Sequence, residues 1–203
     1  MTNDLSVNLI SDKIKTLIRF AAQDRFRTHS RIEGFNLVDV KHLKTGQVLG
    51  NWMSLILVTG NALKITQKLH FSHKDIKTLI HPIYRKDSAS QISDQQSMDF
   101  VKELSNLTAG YLAQVFEDCD VPLGISLPLG TRGFYEVFAD YTPSTHPLIK
   151  CDDLWCLEHD GIQIYGSVII EITDITALKK ILSYEPDTDD VQDEEDDGDF
   201  DFL

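Results

Sequence analysis

The sequence predicts an α+β fold in which two pseudo-repeated helix-plus-strand halves form a mostly antiparallel sheet, with long helices on one face. Three observations carry this expectation. Apolar residues recur at helical spacing in two long stretches, 9–26 and 97–118. Each stretch is followed by short segments rich in β-branched and aromatic residues, separated by Gly, Asn and Asp. The pair Asp160-Gly161 joins the last two such segments by a hairpin turn, which pairs them antiparallel.

In chain order, Leu9, Ile10, Ile14, Leu17, Ile18, Ala21 and Ala22 give the first helix its apolar face. Segments 33–44, 46–60 and 62–71 then read as strands, divided at Thr45-Gly46 and Gly60-Asn61. Ser72 is placed to cap a short helix, HKDIKTLI, which stops before Pro82. Residues 85–96 are polar, lack aromatics and read as a loop. The long helix 97–118 follows, with Ser97 as its expected N-cap. The strands LGISLPLG, GFYEVFADY, DLWCLEH and GIQIYGSVIIEIT come next, and DITALKKIL closes the pattern as a short helix. Residues 1–184 are expected to form a single domain and 185–203 an acidic, disordered tail. The halves share an order of elements but no evident sequence.

Composition narrows the function classes. Of the net charge of −13, eleven negative charges lie in residues 185–203, which hold no Lys or Arg, so the body carries only −2. No basic cluster with interleaved aromatics argues for nucleic acid. Three cysteines, Cys119, Cys151 and Cys156, lack CxxC spacing and suit reduced thiols in a cytoplasmic protein. The N-terminal sequence does not read as a signal peptide, and no apolar run approaches the ~18 residues of a membrane span. His70 and His73 lack a third ligand at recognisable spacing, GxSxG is absent, and LPLGTRG lacks the lysine of a phosphate-binding loop.

The long helix is more informative. Stepping 100° per residue puts Phe100, Leu104, Leu107, Tyr111 and Val115 on the arc expected to bury, flanked by Val101 and Leu112. Asp99, Glu103, Asn106 and Gly110 fall together on the opposite side, joined by Ala113. Asn and Gly both weaken a helix interior, Gly by roughly 1 kcal/mol relative to Ala. Two readings stay open on the residues alone. The face is simply solvated, or its small residues clear space for a partner while Glu103 and Asn106 point at it.

The pattern Asp99-x3-Glu103-x2-Asn106-x3-Gly110, with Pro128 beyond the helix in GISLPLG, resembles the signature of the CheC/CheX/FliY family of chemotaxis phosphatases. In that family a Ser or Asp precedes ExxN and a Pro follows. The resemblance is to the CheX-like arrangement with one active motif, since the first helix offers only Asp12, Thr16 and Arg19 at the matching spacing. It implies dephosphorylation of a phospho-aspartyl response-regulator receiver domain such as CheY. Asn106 would orient the attacking water and Glu103 would engage the receiver's lysine, with Asp99, Gly110 and Pro128 supporting the motif. It implies no cofactor of the chain's own, since the receiver brings Mg²⁺, and it makes a homodimer through the sheet plausible. The alternative is a non-catalytic binding module of the same fold in signal transduction. The tail reads as a solubilising extension or as a docking peptide anchored by Phe200, Phe202 and Leu203.

Overall fold

The first apolar stripe sits on α1, Thr2–Ser30, longer at both ends than its periodicity alone predicts. The structure, a computed structural model, describes residues 2–40, 50–132 and 148–186. The expected strand GFYEVFADY and the tail from 187 onward lie outside the described residues, as does the stretch 41–49. Strands β1 (Asn36–Asp39), β2 (Trp52–Thr59) and β3 (Leu63–Phe71) follow α1. Then come α2 (His73–Ile80), α3 (Asp94–Asp118), β4 (Gly124–Ile125), β5 (Leu129–Arg132), β6 (Ile149–His159) and β7 (Ile162–Ile172).

The sheet runs β1-β6-β7-β3-β2-β4, with β5 also on β2, and every pairing given by the register is antiparallel. Alternation places Ile56, Ile65, Gly166, Val168 and Trp155 on the face covered by α1 and α3. The hairpin β6–β7 closes through Asp160 (φ 48°) and Gly161 (φ 78°), two successive positive-φ residues as a tight hairpin turn requires. A second glycine is fixed by packing. Gly166 faces Trp155 across the ladder, and a Cβ there would sit 2.2 Å from the indole.

Two expectations at element ends are corrected. Helix α3 starts three residues before Ser97, because Ser93 and Gln96 form a reciprocal capping box. Ser97 is instead buried, donating to the Asp94 carbonyl and meeting His73 Nδ1. Ser72 is the N-cap of α2 as expected, with extended backbone and its carbonyl accepting from the Ile76 amide, though its side chain makes no cap bond. DITALKKIL forms turns and a 3₁₀ segment, Lys179–Ser183, rather than an α-helix. Asp174 Oδ1 accepts from the Thr176 and Ala177 amides there, a local turn that a stretch this short does not outgrow.

The α1–α3 seam holds a half-buried histidine. His29 stacks on Phe100 at 4.4 Å, and its Nε2 is buried with no hydrogen-bond partner. Burial holds its pKa below the ordinary 6.5, and burial does the same to His73. With the folded pKa depressed, the unfolded chain takes up a proton below about pH 6.5 that the folded imidazole refuses. Stability is therefore full above that value and falls as pH drops through it. Denaturant unfolding at pH 7.5 and 5.5 should show this loss, and His29→Phe should make the loss smaller.

Candidate functional site

Helix α3 lies with one side on the sheet and one toward α1. The buried side includes Val101, Leu104, Ser105, Thr108, Ala109 and Leu112. Ser105 and Thr108 spend their hydroxyls on the Val101 and Leu104 carbonyls, and Ser105 also bonds Ser54 of β2 at 2.8 Å. These small residues bring helix and sheet close. Leu107 and Tyr111, expected inside, are half-buried on the side facing α1, where Tyr111 meets Phe20 and Arg25. The buried arc is thus turned from Leu107 and Tyr111 toward Ser105 and Ala109, a shift that apolar periodicity does not register.

The opposite side carries the predicted motif. Asp99, Glu103 and Asn106 are exposed, and Gly110 and Ala113 are half-buried. Among the described residues neither Glu103 nor Asn106 has a hydrogen-bond or ion-pair partner. At i and i+3 they stand on adjacent turns of a convex surface. Asp99 is held one turn earlier, accepting from Gln95 Nε2 at 2.7 Å. The side chains that would decide between an interior and an outward role point outward.

Gly110 has no internal explanation. Its φ is not positive, and a Cβ there would meet nothing within 4 Å. The fold would accept Ala, and mid-helix Gly costs roughly 1 kcal/mol relative to it. Gly110→Ala should therefore raise the unfolding free energy by about 0.5–1 kcal/mol. If the bare spot serves a docking partner, the same variant should bind that partner more weakly. Thermal unfolding and a binding titration on one sample separate the two effects.

Pro128 lies in a bulge between β4 and β5. Val58 pairs with Ile125 but Leu55 with Leu129, so three residues, Ser126–Pro128, oppose two on β2. Ser126 repairs the ladder, its hydroxyl accepting from the Leu57 amide at 3.0 Å and its amide donating to Leu57 O at 2.9 Å. Leu127 is thrown outward and Pro128 left half-buried. Gly130 fixes the segment against α3, since a Cβ there would lie 2.4 Å from Met98 Sδ and 3.0 Å from Lys102 Cε. Three strand residues back, ~10 Å toward the helix C-terminus, Leu127 stands about level with the turn carrying Asn106. The sequence expectation placed Pro128 in a strand; the extra residue that bulges the segment away from β2 was not visible there.

The matching positions on α1 are occupied otherwise. Arg19 chelates Asp153 at 2.6 and 2.7 Å and pairs with Asp39, clamping α1 to β6 and β1. Thr16 donates to its own helix at Asp12 O. The remaining candidates are structural. His70 bonds Ser167 at 2.9 Å and His73 packs on Trp52. Burial raises the Cys156 thiol to about 11, and Cys119 is shifted up by the same cause. Among the described residues no group of three or more His, Cys, Asp or Glu could hold a metal ion, and no helix is long and apolar enough to cross a membrane. A cavity of about 520 Å³ between α1 and α3, lined by Phe20, Arg25, Phe35, Tyr111, Gln114 and Tyr184, borders the face past Gly110.

The fold of this layered sheet and its covering helices is similar to that of CheC-like and CheX chemotaxis proteins. A CheC-like superfamily protein from Shewanella sp. PV-4 is 15% identical with a TM-score of 0.58, covering 78% of this chain and 97% of that one. CheX from Vibrio vulnificus is 11% identical with a TM-score of 0.54, over 76% and 97%. CheX of a CheX–CheY–BeF3–Mg²⁺ complex from Borrelia burgdorferi is 14% identical with a TM-score of 0.55, over 77% and 96%. No family model matches the chain, and no curated protein matches it.

Proposed function

We propose that this protein is a CheC/CheX-type phosphatase that removes the phosphoryl group from an aspartate in a CheY-like receiver domain in the cytoplasm. The observation that carries the reading is the outward pairing of Glu103 and Asn106 beside a glycine that the fold itself does not need. The Borrelia CheX, which shares the fold, is in a complex with CheY, and that supports a receiver as the partner.

The residue types fit the reaction. An aspartyl phosphate is a reactive mixed anhydride. Water attacks phosphorus, the bond from phosphorus to the carboxylate oxygen breaks, and the aspartate leaves as carboxylate while the water's proton passes to solvent or phosphate. A helper needs only to hold that water in line. The Asn106 amide offers one acceptor and two donors on a rigid group that does not titrate. It can accept from the water and keep it facing phosphorus, as a glutamine does in small GTPases. Glu103, one turn earlier, supplies a carboxylate for the receiver's lysine and so fixes the docking register. The receiver brings the acyl phosphate and its Mg²⁺; this chain supplies placement and exclusion of competing geometries, worth several kcal/mol of barrier.

The test is to mix the protein with acyl-phosphorylated receivers from its own genome and time phosphate loss. A cognate receiver should lose phosphate many times faster with the protein than alone. Glu103→Ala should raise the receiver concentration needed for half-maximal rate more than it lowers the rate at saturation. Unchanged decay for every receiver would refute the reading.

A further inference from the structure

Helix α3 carries five carboxylates, Asp94, Asp99, Glu103, Glu117 and Asp118, and a single cation, Lys102. That cation falls at the motif. It precedes Glu103 by one residue and stands one turn before Asn106, at i and i+4, where Cβ atoms are roughly 5–6 Å apart. Asp99 lies three residues earlier on the same side of the helix.

No internal role accounts for the charge of Lys102. Its side chain is half-buried, and among the described residues its ammonium has neither a hydrogen bond nor an ion pair. The Asp99 carboxylate, in register for a helical pair with it, accepts from Gln95 instead. Lys77 of α2, by contrast, is spent on Asp94 at 2.6 Å. The stem of Lys102 nevertheless has a seat. A Cβ at residue 130 would lie 3.0 Å from its Cε, so Gly130 leaves the space that the stem takes beside β5. Packing of the methylenes partly orders the side chain, while the charged head keeps its donors unspent. A cation held in this way loses less entropy when it meets an anion than a freely waving one does.

The surrounding charge points to the anion. Asp99 and Glu103 place two exposed carboxylates beside the neutral amide of Asn106. A phosphoryl group brought to that amide is itself anionic and meets repulsion from both. One ammonium on the neighbouring position offsets it, and more strongly in a contact that excludes water than in open solvent. We propose that Lys102 is a third residue of the site, its ammonium donating to an oxygen of the phosphoryl group that Asn106 faces. Through it the helix distinguishes a phosphorylated receiver from an unphosphorylated one. The inference rests on the phosphatase reading of this face and adds to it the recognition of phosphorylation state.

The experiment measures the affinity of the full chain for receivers from its own genome, each taken free and loaded with BeF3–Mg²⁺ in place of the phosphoryl group. The parent is compared with Lys102→Met and Lys102→Arg. Methionine keeps an unbranched stem and a good helix former while removing the charge. The parent should bind its loaded receiver more tightly than the free one. Lys102→Met should weaken binding of the loaded form about tenfold, the worth of one charge-assisted hydrogen bond, and leave the free form within twofold. Lys102→Arg should recover most of that loss. An equal loss toward both forms would make Lys102 a general docking cation and overturn the proposal. So would an unchanged affinity in Lys102→Met, or a loss that comes with a lowered unfolding midpoint and is not recovered by arginine. Phosphate loss timed on the same samples separates the two readings. A parent that clears no receiver refutes the phosphatase and this role with it. A parent and a Lys102→Met chain that clear phosphate equally well refute this role alone.

Discussion

Asn106→Ala should slow the stimulated loss of receiver phosphate by about a hundredfold or more while leaving the unfolding midpoint within a degree or two of the parent. The size follows from what the side chain does in the proposed reaction. It holds the nucleophile, and removing a preorganised group that acts only on the reacting atoms costs roughly 3–4 kcal/mol of barrier. The silence in stability follows from exposure. Asn106 has no partner among the described residues, so truncation breaks nothing in the fold and trades a poor helix former for the best one. A variant that is inactive and also unfolded would mean that the side chain holds the helix instead. Asn106→Asp should be nearly as slow as the alanine variant, because it keeps the shape but places a second carboxylate beside Glu103, facing a phosphoryl group.

The second large effect concerns the sheet. Trp155 is fully buried on the helix-covered face of β6 and lies flat over Gly166. Trp155→Ala should cost about 3–5 kcal/mol, toward the low end because its Nε1 is buried without a hydrogen-bond partner. Gly166→Ala should cost about 1–3 kcal/mol by overpacking, since a methyl group has no room under the indole. The two are coupled. Once Trp155 is alanine the methyl at 166 has space, and alanine is a better strand residue than glycine, so the second substitution should become nearly neutral. Chemical denaturation of the four proteins of the cycle checks this. Additive costs would mean that Gly166 is needed for its backbone rather than for the ring.

Much of this was legible in residues. Two helical stripes, the Asp160-Gly161 hairpin and the β-branched and aromatic segments that form β3, β6 and β7 led directly to an α+β antiparallel layer, because burial on one face imposes period 3.6 on helices and β-branched side chains suit a pleated surface. The outward motif was legible for the same reason: Asp99, Glu103 and Asn106 are polar and the far side of their helix is not. What failed was local competition and tertiary context. Ser93 and Gln96 spell a capping box, yet Ser97 stands nearer the apolar stripe and was preferred. Leu107 and Tyr111 read as core on hydrophobicity, while Ser105, Thr108 and Ala109 won the sheet contact by being small. The bulge at Leu127 follows from a register slip of one residue between two strands paired to β2, and no property of Leu127 itself announces it. Arg19 reads as an ordinary helix cation; its clamp on Asp153 and Asp39 exists only once distant strands are assembled.

The central claim is that the outer face of α3 enters the phosphoryl site of a receiver. Nuclear magnetic resonance of the protein titrated with a BeF3–Mg²⁺-loaded cognate receiver tests it most directly. The account predicts the largest perturbations at the Asn106 side-chain amide and at the backbone amides of Asp99, Glu103 and Gly110, with the Asn106 amide protons protected from solvent. A saturable complex that leaves the Asn106 side chain unperturbed, its changes confined to β1, β6 or the sheet face opposite α1 and α3, would contradict it.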